Sequence, residues 1–215
     1  MSEANAKPRR RWFQFSLRTL LIVVTLVAGL LVAWRAYVEP YRRQRETMAL
    51  IKELGGEYKT EPGGPSWLRG LFGDDNYQHI IEISLSKTEV SDADLAHLEG
   101  LMHLQSLRLG GAQVSDAGLA RLREFTILRI LDLEGTLVSD AGLAHLEGLV
   151  NLQTLILSAT PVGDAGLVHL KGLKNFQELW LGGDQVSDAG AKQLQKALPN
   201  CQIYMVRYTQ DGIYP

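Results

Sequence analysis

The sequence predicts an α/β solenoid, with a parallel sheet of about six short strands on one side, short helices on the other, and a single transmembrane helix ahead of them. Three observations carry this prediction: a 24-residue repeat, an LxxLxL run in each copy, and a long uncharged stretch near the N-terminus. The chain has 215 residues, of which 46% are hydrophobic and 21% charged, so it has the composition of a globular protein and is long enough to bury one core.

The repeat consists of five copies of one segment in register. Successive blocks of 24 residues begin VSDADLAHLEGL at Val90, VSDAGLARLREF at Val114, VSDAGLAHLEGL at Val138, VGDAGLVHLKGL at Val162 and VSDAGAKQLQKAL at Val186. A single block is too small to bury its own apolar face, so neighbouring copies must stack and share a core.

Each block divides into a strand half and a helix half. In the LxxLxL run the leucines alternate with residues that point to the opposite face, which is the period of a strand. In the SDAGLxxL half, a serine such as Ser115 or Ser139 is placed to cap a helix, and Asp116 or Asp140 follows at the positive end of the helix dipole. With a half-block upstream and a remnant downstream, we expect six strands and five helical segments over residues 80–206.

These repeats resemble the leucine-rich-repeat superfamily over residues 80–206. The resemblance implies strands on a concave face and short helices on a convex face. Thr88, Thr136 and Thr160 stand where many members place an Asn, and a Thr hydroxyl can still bond the turn backbone. The wider layout, with RRRWFQFSLRTLL, PYRRQRE, ELGGEY and WLRGLFGDD ahead of the VSDAGLAHL repeats, resembles bacterial, planctomycete-type, membrane-anchored repeat proteins. That narrower resemblance implies a bacterial envelope protein.

Sixteen residues without a charge, 19–34, lie between Arg18 and Arg35. Because a bilayer core takes roughly 17–25 helical residues, we predict a short transmembrane helix over residues 19–38. A cleaved secretory signal is the alternative, although no convincing small-x-small cleavage site follows. Positive-inside counting slightly favours a cytoplasmic basic tail over residues 1–18. The prediction is therefore a single-pass protein of the bacterial inner membrane with an extracytoplasmic repeat domain.

Residues 39–79 are predicted to form a juxtamembrane helix and an N-terminal cap. The first part has Met48, Ile51 and Leu54 on one helical face, and Gly55 with the glycine after it ends the helix. The aromatic and apolar SWLRGLF cluster that follows is predicted to cover the first strand, since an end repeat exposes a layer of core side chains. A separate ligand-binding element is the alternative. The chain closes with a tail of residues 207–215.

No recognisable catalytic or cofactor-binding motif occurs in the sequence. Cys201 is the single cysteine and excludes an intrachain disulfide. His97, His145 and His169 recur at the repeat period, but they fall on outward helix positions of separate coils, too far apart to ligate one metal ion. Beyond residue 18 acidic side chains outnumber basic ones without a basic stripe, so nucleic acid is not an expected partner. We expect no enzyme, no catalytic residue, no cofactor and no metal.

The outward face of the predicted strands is where a partner is expected to bind. Stacking in register forms two columns of outward residues, which are Glu82, Ser106, Ile130, Thr154, Glu178 and Gln202, and beside them Ser84, Arg108, Asp132, Ile156, Trp180 and Tyr204. Arg108 and Asp132 are predicted to pair. Ile156, Trp180 and Tyr204 form an apolar run that packing does not require, and large aromatics dominate binding hot spots. The alternative is that Tyr204, and with it Trp180, packs under the C-terminal tail.

The sequence therefore predicts a membrane-anchored binding module that recognises a protein or a cell-envelope polymer on its concave face. A structural protein that associates with itself and has no foreign ligand is the alternative. An intracellular adaptor resembling the repeat proteins of ubiquitin ligases shares the period, but no recognisable F-box precedes the repeats. The predicted partner-binding residues are Ile130, Asp132, Ile156, Glu178, Trp180 and Tyr204.

Overall fold

The computed structural model describes residues 17–37, 39–73, 77–183, 185–209 and 212–214. The chain separates into two compact units, Met1–Pro40 and Tyr41–Pro215. Most of the predicted basic tail lies outside the described residues.

In the first unit, the described residues 17–37 form the helix α1 (Leu17–Tyr37). Among the residues that the structure describes, no helix is both long enough and apolar enough to cross a membrane. The predicted single-pass location in a bacterial inner membrane is therefore wrong, and the predicted transmembrane span over residues 19–38 is not confirmed.

The repeat unit opens with a helix and a strand that cover the first coil. α2 (Glu39–Glu53) places Ile51 in the core at 1% exposure, with Met48 and Leu54 packed against that core, as the helical pattern predicts. Gly55 follows with a φ of 77°, a left-handed conformation that suits glycine at the end of a helix. β1 (Glu57–Pro62) then pairs antiparallel with the first repeat strand.

The short helix α3 (Ser66–Phe72) carries the SWLRGLF cluster that is predicted to cover the first strand. Trp67 is 61% exposed, so it does not cover the first strand. The side chains of Leu68, Leu71 and Phe72 lie outside the described ones. Residues of α2 and β1 cover the first strand, because the antiparallel strand extends the sheet and Ile51 closes its inner face. The part played by the rest of the α3 cluster stays a prediction.

The strands lie side by side in the order β1 to β8. The six strands β2 to β7 are parallel, with a register that steps by one 24-residue block, so the predicted strands are confirmed. β1 and β8 pair antiparallel at the two ends and were not predicted. Their bounds are β2 (Gln78–Ser84), β3 (Ser106–Arg108), β4 (Ile130–Asp132), β5 (Thr154–Leu157), β6 (Glu178–Gly182), β7 (Gln202–Thr209) and β8 (Gly212–Tyr214).

Five helical segments alternate with these strands, as the repeat predicts. Most of them are one or two turns long and end in 3₁₀ geometry, which fits the few residues available between strands. They are the 3₁₀ segment Asp94–Leu98, α4 (Asp116–Arg121) continued by 3₁₀ residues Leu122–Glu124, α5 (Asp140–Leu143) continued by Ala144–Leu146, the 3₁₀ segment Gly166–Leu170, and α6 (Asp188–Ala197).

The core is one continuous column of leucines between the sheet and the helices. Leu107, Leu131, Leu155 and Leu179 stand at equivalent positions of four neighbouring strands and are fully buried. Because each leucine packs against the copies before and after it, the stack shares one core, as expected of a solenoid.

The threonines that replace the usual Asn bond to the backbone of their own turn. The Oγ1 atoms of Thr88, Thr136 and Thr160 donate to the carbonyls of Leu85, Leu133 and Leu157 at 2.6, 2.7 and 2.7 Å. The predicted bond from the hydroxyl to the turn is confirmed.

Candidate functional site

The predicted binding residues lie in two columns on one face of the sheet. Their register is the expected one, because each residue pairs with the residue one block later in the neighbouring strand. All six are half-buried, whereas the leucines between them point into the core. The first column contains Ile130, Thr154, Glu178 and Gln202, and the second contains Asp132, Ile156, Trp180 and Tyr204.

Ile156, Trp180 and Tyr204 form what we call the aromatic strip. The rings of Trp180 and Tyr204 stack on one another, with centroids 4.3 Å apart and planes inclined by 21°. The Tyr204 hydroxyl donates to Oε1 of Gln202 at 2.7 Å, which orients the phenol ring on the sheet. The strip is therefore an ordered apolar surface on the face that the core does not use.

The C-terminal tail continues the sheet beyond the aromatic strip. The backbone of β8 pairs with Arg207–Thr209 of β7, three or more residues past Tyr204. The side chains of these residues lie outside the described ones. The alternative that the tail covers Tyr204 therefore stays a prediction.

The predicted pair between Arg108 and Asp132 is wrong. Nη1 of Arg108 bonds to Oε1 of Glu82 at 2.7 Å, and Nζ of Lys59 bonds to the other oxygen of Glu82 at 2.7 Å. Oδ1 of Asp132 instead accepts from the backbone N–H of Glu134 at 3.0 Å. Glu82 and Arg108 lie on the adjacent strands β2 and β3, and the unpredicted strand β1 places Lys59 opposite Glu82, which completes a three-residue ion cluster.

The Lys59 and Arg108 side chains also set the charge state of Glu82. The hydrogen bond from Lys59, aided by the nearby Arg108, lowers the pKa of Glu82, although its partial burial acts in the opposite direction. Glu82 therefore stays ionised well into the acid range and holds the two cations in place.

A depression of about 560 Å³ lies at this N-terminal end of the concave face. Its wall combines outward residues of the first repeat strands with side chains of α2 and β1, which the sequence did not place beside them. Predicting that α2 and β1 lie beside the first repeat strands would require predicting that the segment after α2 pairs antiparallel with β2. The lining residues are Lys52, Gly56, Glu57, Tyr58, Lys59, Glu82, Ser84 and Arg108.

Two of the repeating histidines, His145 and His169, contact charged side chains of the preceding coil. Nδ1 of His145 lies 2.6 Å from Nη2 of Arg123, and Nδ1 of His169 lies 2.6 Å from Oε1 of Glu147. Within the described residues, no group of three or more His, Cys, Asp or Glu side chains is placed to hold a metal ion. Cys201 is buried, and that burial raises the pKa of its thiol to about 11.

Comparison with solved structures supports the repeat architecture. No known protein-family profile matches the sequence, and no curated protein sequence matches it. Internalin C2 from Listeria monocytogenes is 26% identical with a TM-score of 0.51, over 64% of this chain and 55% of that chain. An internalin F from the same organism is 19% identical with a TM-score of 0.49, over 66% of this chain and 37% of that chain. The leucine-rich-repeat ectodomain of the receptor kinase SOBIR1 from Arabidopsis thaliana is 13% identical with a TM-score of 0.45, over 77% of this chain and 92% of that chain.

The repeat unit is a leucine-rich-repeat solenoid, so the resemblance to that superfamily is confirmed. The chain spans about half the length of internalin C2 and less of the other internalin. The narrower resemblance to planctomycete-type proteins stays a prediction.

Proposed function

We propose that this chain is a non-enzymatic protein-binding module whose partner docks on the C-terminal half of the concave sheet, centred on the aromatic strip. The observation that carries the proposal is the stack of Trp180 on Tyr204 on a face that core packing does not occupy. Ile130, Asp132 and Glu178 lie around the strip and form the polar and apolar border of the proposed site.

The contrast between the two faces of the same strands supports this proposal. In β6, Leu179 and Leu181 are fully buried, while Trp180 between them is half-buried on the opposite face. Folding requires the leucines, but it does not require a large indole on the outward side. Trp and Tyr are enriched in binding hot spots because their rings bury a large area with little loss of side-chain freedom.

The stacking geometry favours a protein over a cell-envelope polymer. Sugar rings of a polymer stack on an open aromatic face, but Trp180 and Tyr204 each use one face against the other. Each ring then offers a partner its edges and only one face, beside the Ile156 side chain. Apolar and aromatic side chains of a protein suit such edges, since edge-to-face packing is a preferred arrangement of aromatic rings.

The proposal is tested by retaining partners on the immobilised full-length chain and quantifying them by mass spectrometry. We compare the unchanged chain with Trp180→Ala and with Val168→Ala. Val168 is the matched control, because it is a large apolar residue with 51% exposure on a helical segment away from the sheet. A specific partner should be retained by the unchanged chain and by Val168→Ala, and its retention should fall about tenfold or more with Trp180→Ala.

Equal retention by all three forms would refute the concave-face assignment. Self-association is the competing outcome. Sedimentation of the chain at rising concentration distinguishes self-association from binding of a foreign protein. A dimer that Trp180→Ala abolishes would show that the strip binds a second copy of the chain.

A further inference from the structure

We propose that the N-terminal end of the concave face binds a carboxylate group of a ligand, in a recess whose polar side chains are Lys52, Lys59, Glu82, Ser84 and Arg108. We call this the cationic recess. It does not rest on the proposed function, because Arg108 and Trp180 are three strands apart, or about 14 Å at the usual spacing of strands.

The recess is organised around Glu82. Each oxygen of this carboxylate holds one cation at 2.7 Å, Arg108 on Oε1 and Lys59 on Oε2. The Glu82 side chain is only 17% exposed, while those of Arg108 and Lys59 are 43% and 71% exposed. Glu82 therefore fixes the two cations from below and leaves them open to the concave side.

The two cations keep hydrogen-bond donors available for a ligand. A guanidinium has five N–H donors and an ammonium has three, and Glu82 accepts one from each side chain. Lys52 adds a third cation, whose Nζ lies 5.5 Å from the centre of the Tyr58 ring. An oxyanion in the recess would gain charge-assisted bonds from groups that are already oriented, which reduces the entropy lost on binding.

The charge of the recess favours a carboxylate over a phosphate. Its lining holds the three cations Lys52, Lys59 and Arg108 and the two acids Glu57 and Glu82, so the surplus is a single positive charge. A carboxylate balances that surplus. A phosphate monoester carries about −1.5 to −2 at pH 7 and would place excess negative charge beside Glu82. The planar fork of Arg108 also matches the two oxygens of a carboxylate.

The test uses the full-length chain, labelled with ¹⁵N and titrated with N-acetylglutamic acid α-amide. Its glutamine analogue is the uncharged control, and inorganic phosphate is the second anion. The acid should shift the backbone amide signals of Lys59, Glu82 and Arg108 saturably, and the glutamine analogue should not. Absence of saturable shifts with the acid would overturn the proposal. Phosphate binding as tightly as the acid would show a general anion site and overturn the carboxylate assignment.

Variants show whether binding depends on the recess or on surface charge elsewhere. Arg108→Gln should weaken binding of the acid about tenfold or more, because it removes a charge-assisted donor pair. Arg121→Gln is the matched control, since Arg121 pairs with Glu99 on the helical side and is 41% exposed. Ser84→Asp keeps every cation but adds a third carboxylate beside Glu57 and Glu82. It should abolish binding, while the amide spectrum of the folded chain is retained. Unchanged affinity in both Arg108→Gln and Ser84→Asp would contradict the proposal.

Discussion

The Asp116 carboxylate accepts two hydrogen bonds from Ser139, one from the backbone N–H at 2.8 Å and one from the hydroxyl at 2.6 Å. The same Ser139 hydroxyl accepts from the N–H of Ala141 at 3.3 Å and so caps α5. One repeat therefore holds the helix cap of the next. Asp92 with Ser115 and Asp164 with Ser187 repeat the arrangement, while Asp140 bonds only the N–H of Gly163.

This ladder explains the glycine of the SDAG motif. A Cβ at Gly142 would overlap Oδ1 of Asp116, because the carboxylate crosses directly over the glycine of the next copy. The first copy has Asp94 at the equivalent position, and there no earlier copy supplies an aspartate. Asp94 instead bonds the N–H and the hydroxyl of Ser91 at 2.9 and 2.8 Å.

We predict that Gly142→Ala destabilises the chain, although alanine is the better helix former by about 1 kcal/mol. The added methyl group must displace the Asp116 carboxylate and break its bonds to Ser139. Unfolding in urea measures the change. Gly70→Ala in α3 is the control, because its added Cβ meets nothing within 4 Å. Asp116→Ala should cost about 1–3 kcal/mol alone, and the double variant should cost less than the sum of the two single ones. Equal stability of Gly142→Ala and Gly70→Ala would contradict the ladder.

We predict that Leu131→Ala and Leu155→Ala each lower the free energy of unfolding by about 2–5 kcal/mol, through lost burial and the cavity left behind. Both leucines have no exposed surface. Leu137→Ala serves as the control, because Leu137 is 61% exposed and should change stability by less than about 0.5 kcal/mol. If the buried and exposed leucines behave alike in thermal or urea unfolding, the strand register is incorrect.

We predict that His79 makes the N-terminal end of the solenoid less stable at mildly acid pH. Its ring lies 3.8 Å from that of His103, with Tyr41 Oη 3.5 Å from Nε2 and Gln44 Nε2 3.4 Å from Nδ1. Burial, with a contribution from His103, lowers the pKa of His79. The folded state therefore binds fewer protons at this site than the unfolded state. The free energy of unfolding is therefore unaffected by His79 above its ordinary pKa near 6.5. It decreases as the pH falls below 6.5 and through the lowered pKa of the folded state.

Urea midpoints at pH 7.5 and 5.5 measure this effect. The unchanged chain should lose more stability between the two values than His79→Gln does. His97→Gln provides the comparison for an exposed histidine. The carboxylates with lowered pKa, such as Asp94 and Asp164, titrate at lower pH and do not contribute in this interval. A His79→Gln variant that keeps the full pH dependence would contradict the prediction.

The period of the sequence determines which parts of the fold were predictable. A 24-residue step places Leu107, Leu131 and Leu155 at one position, so the register, the core and the two outward columns follow from counting. Contacts between individual side chains on this repeating backbone depend on neighbouring residues that differ from copy to copy. Arg108 bonds to Glu82 on the adjacent strand, and Lys59 on β1, a strand outside the repeats, bonds to the same carboxylate.

The Asp–Ser ladder was missed even though the sequence contains its signal. Aspartate follows the serine position in all five copies, whereas glycine is replaced only in the first, at Asp94. If each aspartate served only its own helix, the replacement of glycine by Asp94 in the first copy would have no explanation. If each aspartate lies over the glycine of the next copy, only the first copy has no need of glycine.

Folding depends on the inward leucines of β6, and binding depends on the outward ring beside them. For Trp180→Ala, both the free energy of unfolding and the affinity for a partner retained by the unchanged chain are to be measured. The free energy of unfolding should change by less than about 1 kcal/mol, while the affinity should fall by about 2 kcal/mol or more. Unfolding of the variant, or undiminished affinity, would show that Trp180 is structural and would contradict the assignment of the concave face.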